Sequence, residues 1–340
     1  SSSTSRGGGR MNSYELIEAA LRGEELWRQP ILLWRRFPRS DRDAGRLAEA
    51  QLNFHRRFPS DILIVSPIYG YPAIAYGAEL KPGWSPTGER EVRRPIIEEA
   101  EDWEALDELD VEEGVLAMTL EAVRLIAERL QGETPILQTI YSPLTICELI
   151  GGERLRGDLD EESEMVLEAL RTIASTMAEL SSASLDAGAD GILLIIRTAT
   201  GESISESRYR RLIAPYDRWI LRAVRGSLIR VLHLHGGNLP LNLMAEEYPI
   251  EAINWSSRKP TLREAEELFQ GLILGGLDVE RLKTLKPDEV EVMVREAVNS
   301  VSWGRLILAP KCALHLSTPV ENLDSLLEAA ASYRPRIKHY

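Results

Sequence analysis

The stretch Val231 to Gly237, V-L-H-L-H-G-G, places His233 and His235 two residues apart. On a β-strand that spacing turns both imidazoles to one face, so their nitrogens look into the same space. Cys312 lies far downstream, just after the apolar run Leu306 to Pro310, and is one of only two cysteines in the chain. Two neutral imidazoles and one thiolate, with a fourth position open, form the donor set of a catalytic zinc site, whereas closed structural sites take four protein ligands. The competing reading of the same residues is a pair of core histidines and an inert buried thiol. His315 is a rival ligand expected past the strand end and facing solvent, while the charged contexts of His55 and His339 place both at the surface.

A second group is cationic. Arg35, Arg36 and Arg39 follow one apolar run, Arg197 ends another, and Arg258 with Lys259 follows a third. Turned inward, they would hold a carboxylate or phosphate by bidentate hydrogen bonds. Turned outward, they would pair with loop acids. Ser66, Tyr141, Thr198 and Asn254 stand at the ends of other apolar runs, and Lys311 follows the last. No Walker loop, Ser-His-Asp order or G-x-S-x-G elbow is present.

Something must bring these residues together. Eight short apolar runs recur along the chain: 31–34, 62–66, 135–141, 191–196, 229–235, 251–255, 272–275 and 306–310. Runs such as I-L-I-V and I-L-L-I-I suit strands buried on both faces, as parallel strands under helices are. Helical periodicity fills the intervals. Segment 161–187 carries Met165, Leu167, Leu170, Ile173 and Met177 at helical spacing, and Thr261 with Glu264 forms a capping box. Eight strand-helix repeats predict an α/β protein, a single (β/α)8 TIM barrel, whose chemistry sits at the carboxyl ends of the strands. An open doubly wound sheet would need an early glycine fingerprint, which is missing. About seventy residues separate the second and third runs, a long insertion in which 98–113 holds ten acids and no base. It is expected as a solvated excursion or as a lid over the barrel mouth.

The composition narrows the partners. With 340 residues the chain can bury a sizeable core, and 40 basic against 53 acidic residues give a net charge of −13, which disfavours nucleic acid and anionic membrane surfaces. Two cysteines make no disulfide framework and point to a reducing cytoplasm, with a homodimer as the expected assembly. No run is long enough to span a membrane. Residues 1–10, S-S-S-T-S-R-G-G-G-R, precede Met11 and are expected to lie outside the fold, leaving 11–340 as the barrel.

Several stretches resemble the uroporphyrinogen decarboxylase superfamily, which includes zinc-dependent methylcobamide methyltransferases. I-Y-S-P-L-T-I-C-E-L-I-G-G at 140–152 is similar to its G-P-x-T segment, L-I-A-P-Y-D-R-W-I at 212–220 to its L-P-Y helix, V-L-H-L-H-G-G to its H-x-C-G turn, and 306–323 to its closing strand and helix. The resemblance covers the chain from Met11 and implies the same barrel. W-R-R-F-P-R at 34–39 keeps the spacing of the decarboxylases' two arginines at Arg35 and Arg39. Ile68 stands where their pyrrole-binding aspartate is expected, and Leu149 replaces a tyrosine, so a tetrapyrrole substrate is not expected. The methyltransferase branch implies zinc on His233, His235 and Cys312, a methylcobamide donor on a separate corrinoid protein, and a thiol acceptor. His235 stands in place of a cysteine, so the bound ion would keep one more positive charge than with two thiolates. Arg35, Arg39 and Arg197 would hold the anionic part of a small substrate, with Thr198, Asn254 and Tyr141 lining the pocket. A decarboxylase or lyase using Lys311 as proton donor, and a non-catalytic anion-binding barrel, are the alternatives.

Overall fold

The computed structural model describes residues 11–198, 204–237 and 239–334. Seven strands form one parallel sheet in chain order: β1 (Leu63–Val65), β2 (Ile136–Tyr141), β3 (Gly191–Arg197), β4 (Ile229–His235), β5 (Ala252–Trp255), β6 (Leu272–Leu277) and β7 (Leu306–Pro310). Nearly every residue of these strands is buried, which explains why the runs are continuously apolar rather than alternating. Glycine is required where β3 begins, because a Cβ on Gly191 would stand 1.7 Å from the Ile229 carbonyl oxygen.

The first of the eight expected strands forms only a single parallel bridge, Ile31 to Leu308. Leu32 N donates to Leu308 O at 2.7 Å, and Ile31 O accepts from Asp61 N at 2.8 Å, so the segment touches both the last strand and the approach to β1. Side chains take over the rest of its ladder. Ile31 N donates to the Asp61 carboxylate and Leu33 N to the Ser60 hydroxyl. Pro30, without an N–H, shortens the pairing further.

Helices cover the sheet. Glu164–Asp186 buries one apolar stripe, close to the predicted 161–187, and Thr261 caps Leu262–Leu268 with Glu264 completing the box as expected. The stretch between β1 and β2 holds a short helix (Tyr71–Ala75), an antiparallel bridge from Leu80 to Val92, a 3-10 turn (Ala100–Ala105) and the helix Gly114–Leu130. Buried Trp103 anchors its acidic part by donating to Asp158 at 2.8 Å. No helix among the described residues is long and apolar enough to cross a membrane. The segment 1–10 and His339 lie outside the described residues.

Candidate metal centre

His233 and His235 sit at the carboxyl end of β4, and Cys312 follows β7 by two residues. Three strands at about 4.8 Å spacing would separate these ends by roughly 14 Å on a flat sheet. Instead, Cys312 Sγ lies 3.7 Å from His235 Nδ1, so the sheet curls until strands from opposite sides face one another. One ligand atom from each of the three residues falls within 4.8 Å of the others. A tetrahedral ion with bonds of about 2.0–2.3 Å wants donors about 3.3–3.8 Å apart, a modest contraction from this arrangement. Among the described residues this is the one such grouping of three His, Cys, Asp or Glu ligands.

The surroundings of His233 and Cys312 favour their ligand forms. Burial pushes the His233 imidazole down to about 4, only partly offset by its hydrogen bond to Asn254, so it is neutral at physiological pH. Asn254 is His233's register partner on β5. Its Nδ2 donates to the carbonyls of Leu274 at 2.9 Å and Pro310 at 3.2 Å, which leaves Oδ1 as the acceptor facing His233 Nδ1 at 2.6 Å. The proton therefore sits on Nδ1, and Nε2 keeps its lone pair. Burial opposes ionisation of Cys312, yet the His235 hydrogen bond and the Arg36 charge together hold its thiol below the usual range. Gly236, at φ 114°, lets the chain turn away directly after His235. These donors fit a divalent zinc-type ion with one position open.

Around them stand two arginines. Arg197, the register partner of His235, binds Glu89 at 2.7 Å and the Tyr69 hydroxyl at 3.0 Å. Thr145 pins its backbone, accepting from Arg197 N and donating to Arg197 O. Arg36 is buried, lies over the rings of Trp34 and Tyr69 at 5.2 and 5.1 Å, and approaches Glu89 at 3.5 Å. Trp34 meets His233 edge-on at 5.0 Å, and its buried Nε1 finds no hydrogen-bond partner among the described residues. A cavity of about 690 Å³ opens beside this cluster, lined by Tyr69, Glu89, Thr145, Leu149 and Arg197, with Trp84 toward the outside.

Two of the expected arginines lie elsewhere. Arg35 stacks on Phe37 and Phe54, and Arg39 is exposed with its carbonyl facing Arg46. Extended backbone alternates its side chains, so Trp34 and Arg36 share the inward side and Arg35 takes the other. That alternation is the sequence signal that separates Arg36 from Arg35. Asn254 touches His233 rather than lining a pocket wall. Tyr141 is buried, accepts from Gly70 N, and has its phenol raised by burial, so it stays protonated near neutrality. Thr198 is half-buried, with its carbonyl near the Gly236 turn. Lys311 is half-buried, its amide donating to Leu277. His315 is buried, not solvent-facing, and its Nε2 lies 2.7 Å from Glu280. His55 is likewise half-buried, and burial lowers its imidazole. Ile68 is buried, an apolar side chain at the position where the decarboxylases' aspartate is expected.

The two motif-like stretches 140–152 and 212–220 meet directly. Ser142 Oγ donates to Asp217 at 2.6 Å, and Tyr209 and Tyr248 donate to the same buried carboxylate. Asp217 lies within the L-I-A-P-Y-D-R-W-I stretch, but nothing in that stretch indicates which groups its carboxylate meets. Comparison with known proteins fits this geometry. The chain is 25% identical over 280 residues to a methylcobamide:CoM methyltransferase of Methanosarcina acetivorans, covering 82% of this chain and 79% of that one. It is 31% identical over 183 residues to a uroporphyrinogen decarboxylase of Alkalilimnicola ehrlichii, covering 51% and 48%. Among solved structures, a methyltransferase from Methanosarcina mazei superposes with a TM-score of 0.83 at 18% identity, over 94% of this chain and 98% of that one. The uroporphyrinogen decarboxylase family model matches residues 12–333, so the chain belongs to the uroporphyrinogen decarboxylase (URO-D) family.

Proposed function

We propose that this protein is a zinc-dependent methyltransferase that moves a methyl group from a methylcobamide, carried by a separate corrinoid protein, to the sulfur of a small anionic thiol. The observation that carries the reading is the convergence of His233, His235 and Cys312, with Asn254 fixing the His233 tautomer. Methylcobamide:CoM methyltransferases among the relatives support the donor class.

Zinc held by these three side chains supplies Lewis acidity that lowers the pKa of a thiol offered at the open position. The remaining work belongs to the chain. His233 and Asn254 keep one nitrogen lone pair aimed at the centre, so no reorientation is needed during turnover. Arg36 and Arg197 orient the substrate by its anionic end, which leaves the sulfur as the end directed to the metal ligands. The Trp34 indole N–H, without a hydrogen-bond partner among the described residues, is a further donor held beside His233.

The test is stepwise. Elemental analysis of the purified protein is expected to give one zinc per chain, falling well below that in Cys312→Ala. Zinc-loaded protein is then expected to demethylate methylcobalamin in the presence of one member of a thiol panel. Metal-free protein with an unaltered Cys312→Ala variant would sink the reading.

A further inference from the structure

Glu89 sits in an unusual place for an acid. It reaches from the loop between Leu80 and Val92 into the cluster beside the metal ligands and lies between two guanidinium groups, 2.7 Å from Arg197 and 3.5 Å from Arg36. The loop is pressed onto that spot. Gly88, at φ +82°, would set a Cβ 2.9 Å from the Cβ of Arg36, so glycine permits both the turn and the approach. Arg36 donates to Thr87 O at 3.2 Å, and Arg90 ties the next turn to Asp41 and Pro38 O. The carboxylate is therefore held by built structure and not by a freely swinging side chain.

From this geometry we infer that Glu89 is a specificity-determining residue that sets the charge of the substrate's anionic end, admitting one negative charge and rejecting two. The inference rests on the proposed reading that an anionic substrate docks at Arg36 and Arg197. Two cations and one resident anion leave one positive charge to be matched. A singly charged group, such as a sulfonate or a monocarboxylate, balances the cluster. A second negative charge would sit unpaired beside the part-buried Glu89 carboxylate, where screening is weaker than in bulk water. The cluster's own charges keep the carboxylate ionised: burial opposes this, but Arg36 and Arg197 together hold it below the ordinary range. Without Glu89 the same two arginines would suit a doubly charged group better.

Calorimetric titration with two probes of like shape tests this: methanesulfonate with one charge and sulfate with two. Wild-type protein is expected to prefer methanesulfonate, and Glu89→Gln, which keeps an oxygen for Arg197, is expected to move the ratio of the two affinities toward sulfate by about tenfold or more. If both anions gain or lose alike in Glu89→Gln, the residue is only a loop anchor and the inference falls; it falls also if wild type binds neither probe. Should Glu89→Gln fail to fold, Arg36→Gln probes the same balance, since loss of one cation should depress sulfate more than methanesulfonate, and equal depression overturns the inference. The titrations need neither zinc nor a methyl donor, so their failure stands apart from failed turnover.

Discussion

His233 Nδ1 lies 2.6 Å from Asn254 Oδ1, and the two residues are register partners on adjacent parallel strands. Asn254 is itself fixed by two carbonyls, on β6 and at the end of β7, so the imidazole of one strand is oriented by three others. Outer-shell partners of this kind change metal affinity by about 10- to 100-fold. Asn254→Ala is therefore expected to weaken zinc binding by about that factor while His233→Ala weakens it more. Competition against a chromophoric chelator measures both. A folded Asn254→Ala protein with unchanged affinity would show that the hydrogen bond does not tune the centre.

Arg36 and Arg35 are neighbours in sequence and opposites in space. Arg36 lies over Trp34 and Tyr69 on the side of the His233, His235 and Cys312 cluster, while Arg35 stacks against Phe54. Charged hydrogen bonds contribute about 1.5–3 kcal/mol each. Arg36→Gln is expected to weaken anion binding by roughly 10- to 100-fold at that scale, whereas Arg35→Gln stays within about twofold. Isothermal titration of the two variants with methanesulfonate checks this, and equal losses would mean that the substrate docks elsewhere.

The contrast between these two arginines shows what a sequence can and cannot disclose here. His233, His235 and Cys312 were legible because strand periodicity puts i and i+2 on one face and because apolar runs locate strand ends. The capping box at Thr261 was legible because its partners are three residues apart. Glu89 was not, since its loop has no periodicity and its position depends on the Leu80 to Val92 bridge and the Arg90–Asp41 pair. Asn254 was noticed as a strand-end residue, but its role follows from register with β4, which no local pattern encodes. The bridge at Ile31 looked like a strand because its apolarity is that of one; the Ser60 and Asp61 side chains that replace its ladder are visible only in three dimensions.

Arg90 and Asp41 form a pair at 2.8 Å, with both side chains almost wholly buried. Breaking such a pair by removing one member costs about 3–5 kcal/mol, because the other charge is left unmatched in the interior. Arg90→Met is expected to fall near the lower end of that range, since burial already raises the Asp41 carboxyl to about 6 and protonation offers relief. Urea unfolding at pH 7.5 reads the loss. The same variant is expected to loosen the Glu89 loop, and greater protease sensitivity within 81–94 would register it.

Asp217 provides the clearest pH signature. Its carboxyl is fully buried, and burial raises it to about 6 even though Ser142, Tyr248 and Tyr209 all donate to it. The native protein thus binds this proton more tightly than the unfolded chain, where an aspartate titrates near 3.9. Its contribution to stability is full below about pH 4 and is lost as pH rises through about 6. Asp217→Asn carries no titrating proton at this position. The stability of wild type minus that of Asp217→Asn should therefore decline between pH 4 and pH 6.5 by on the order of 3 kcal/mol and stay level above. Denaturant unfolding of both proteins across that range gives the difference directly. A difference that is flat, or that grows with pH, would mean that the three hydroxyl donors outweigh burial and that the carboxylate enters the folded state ionised.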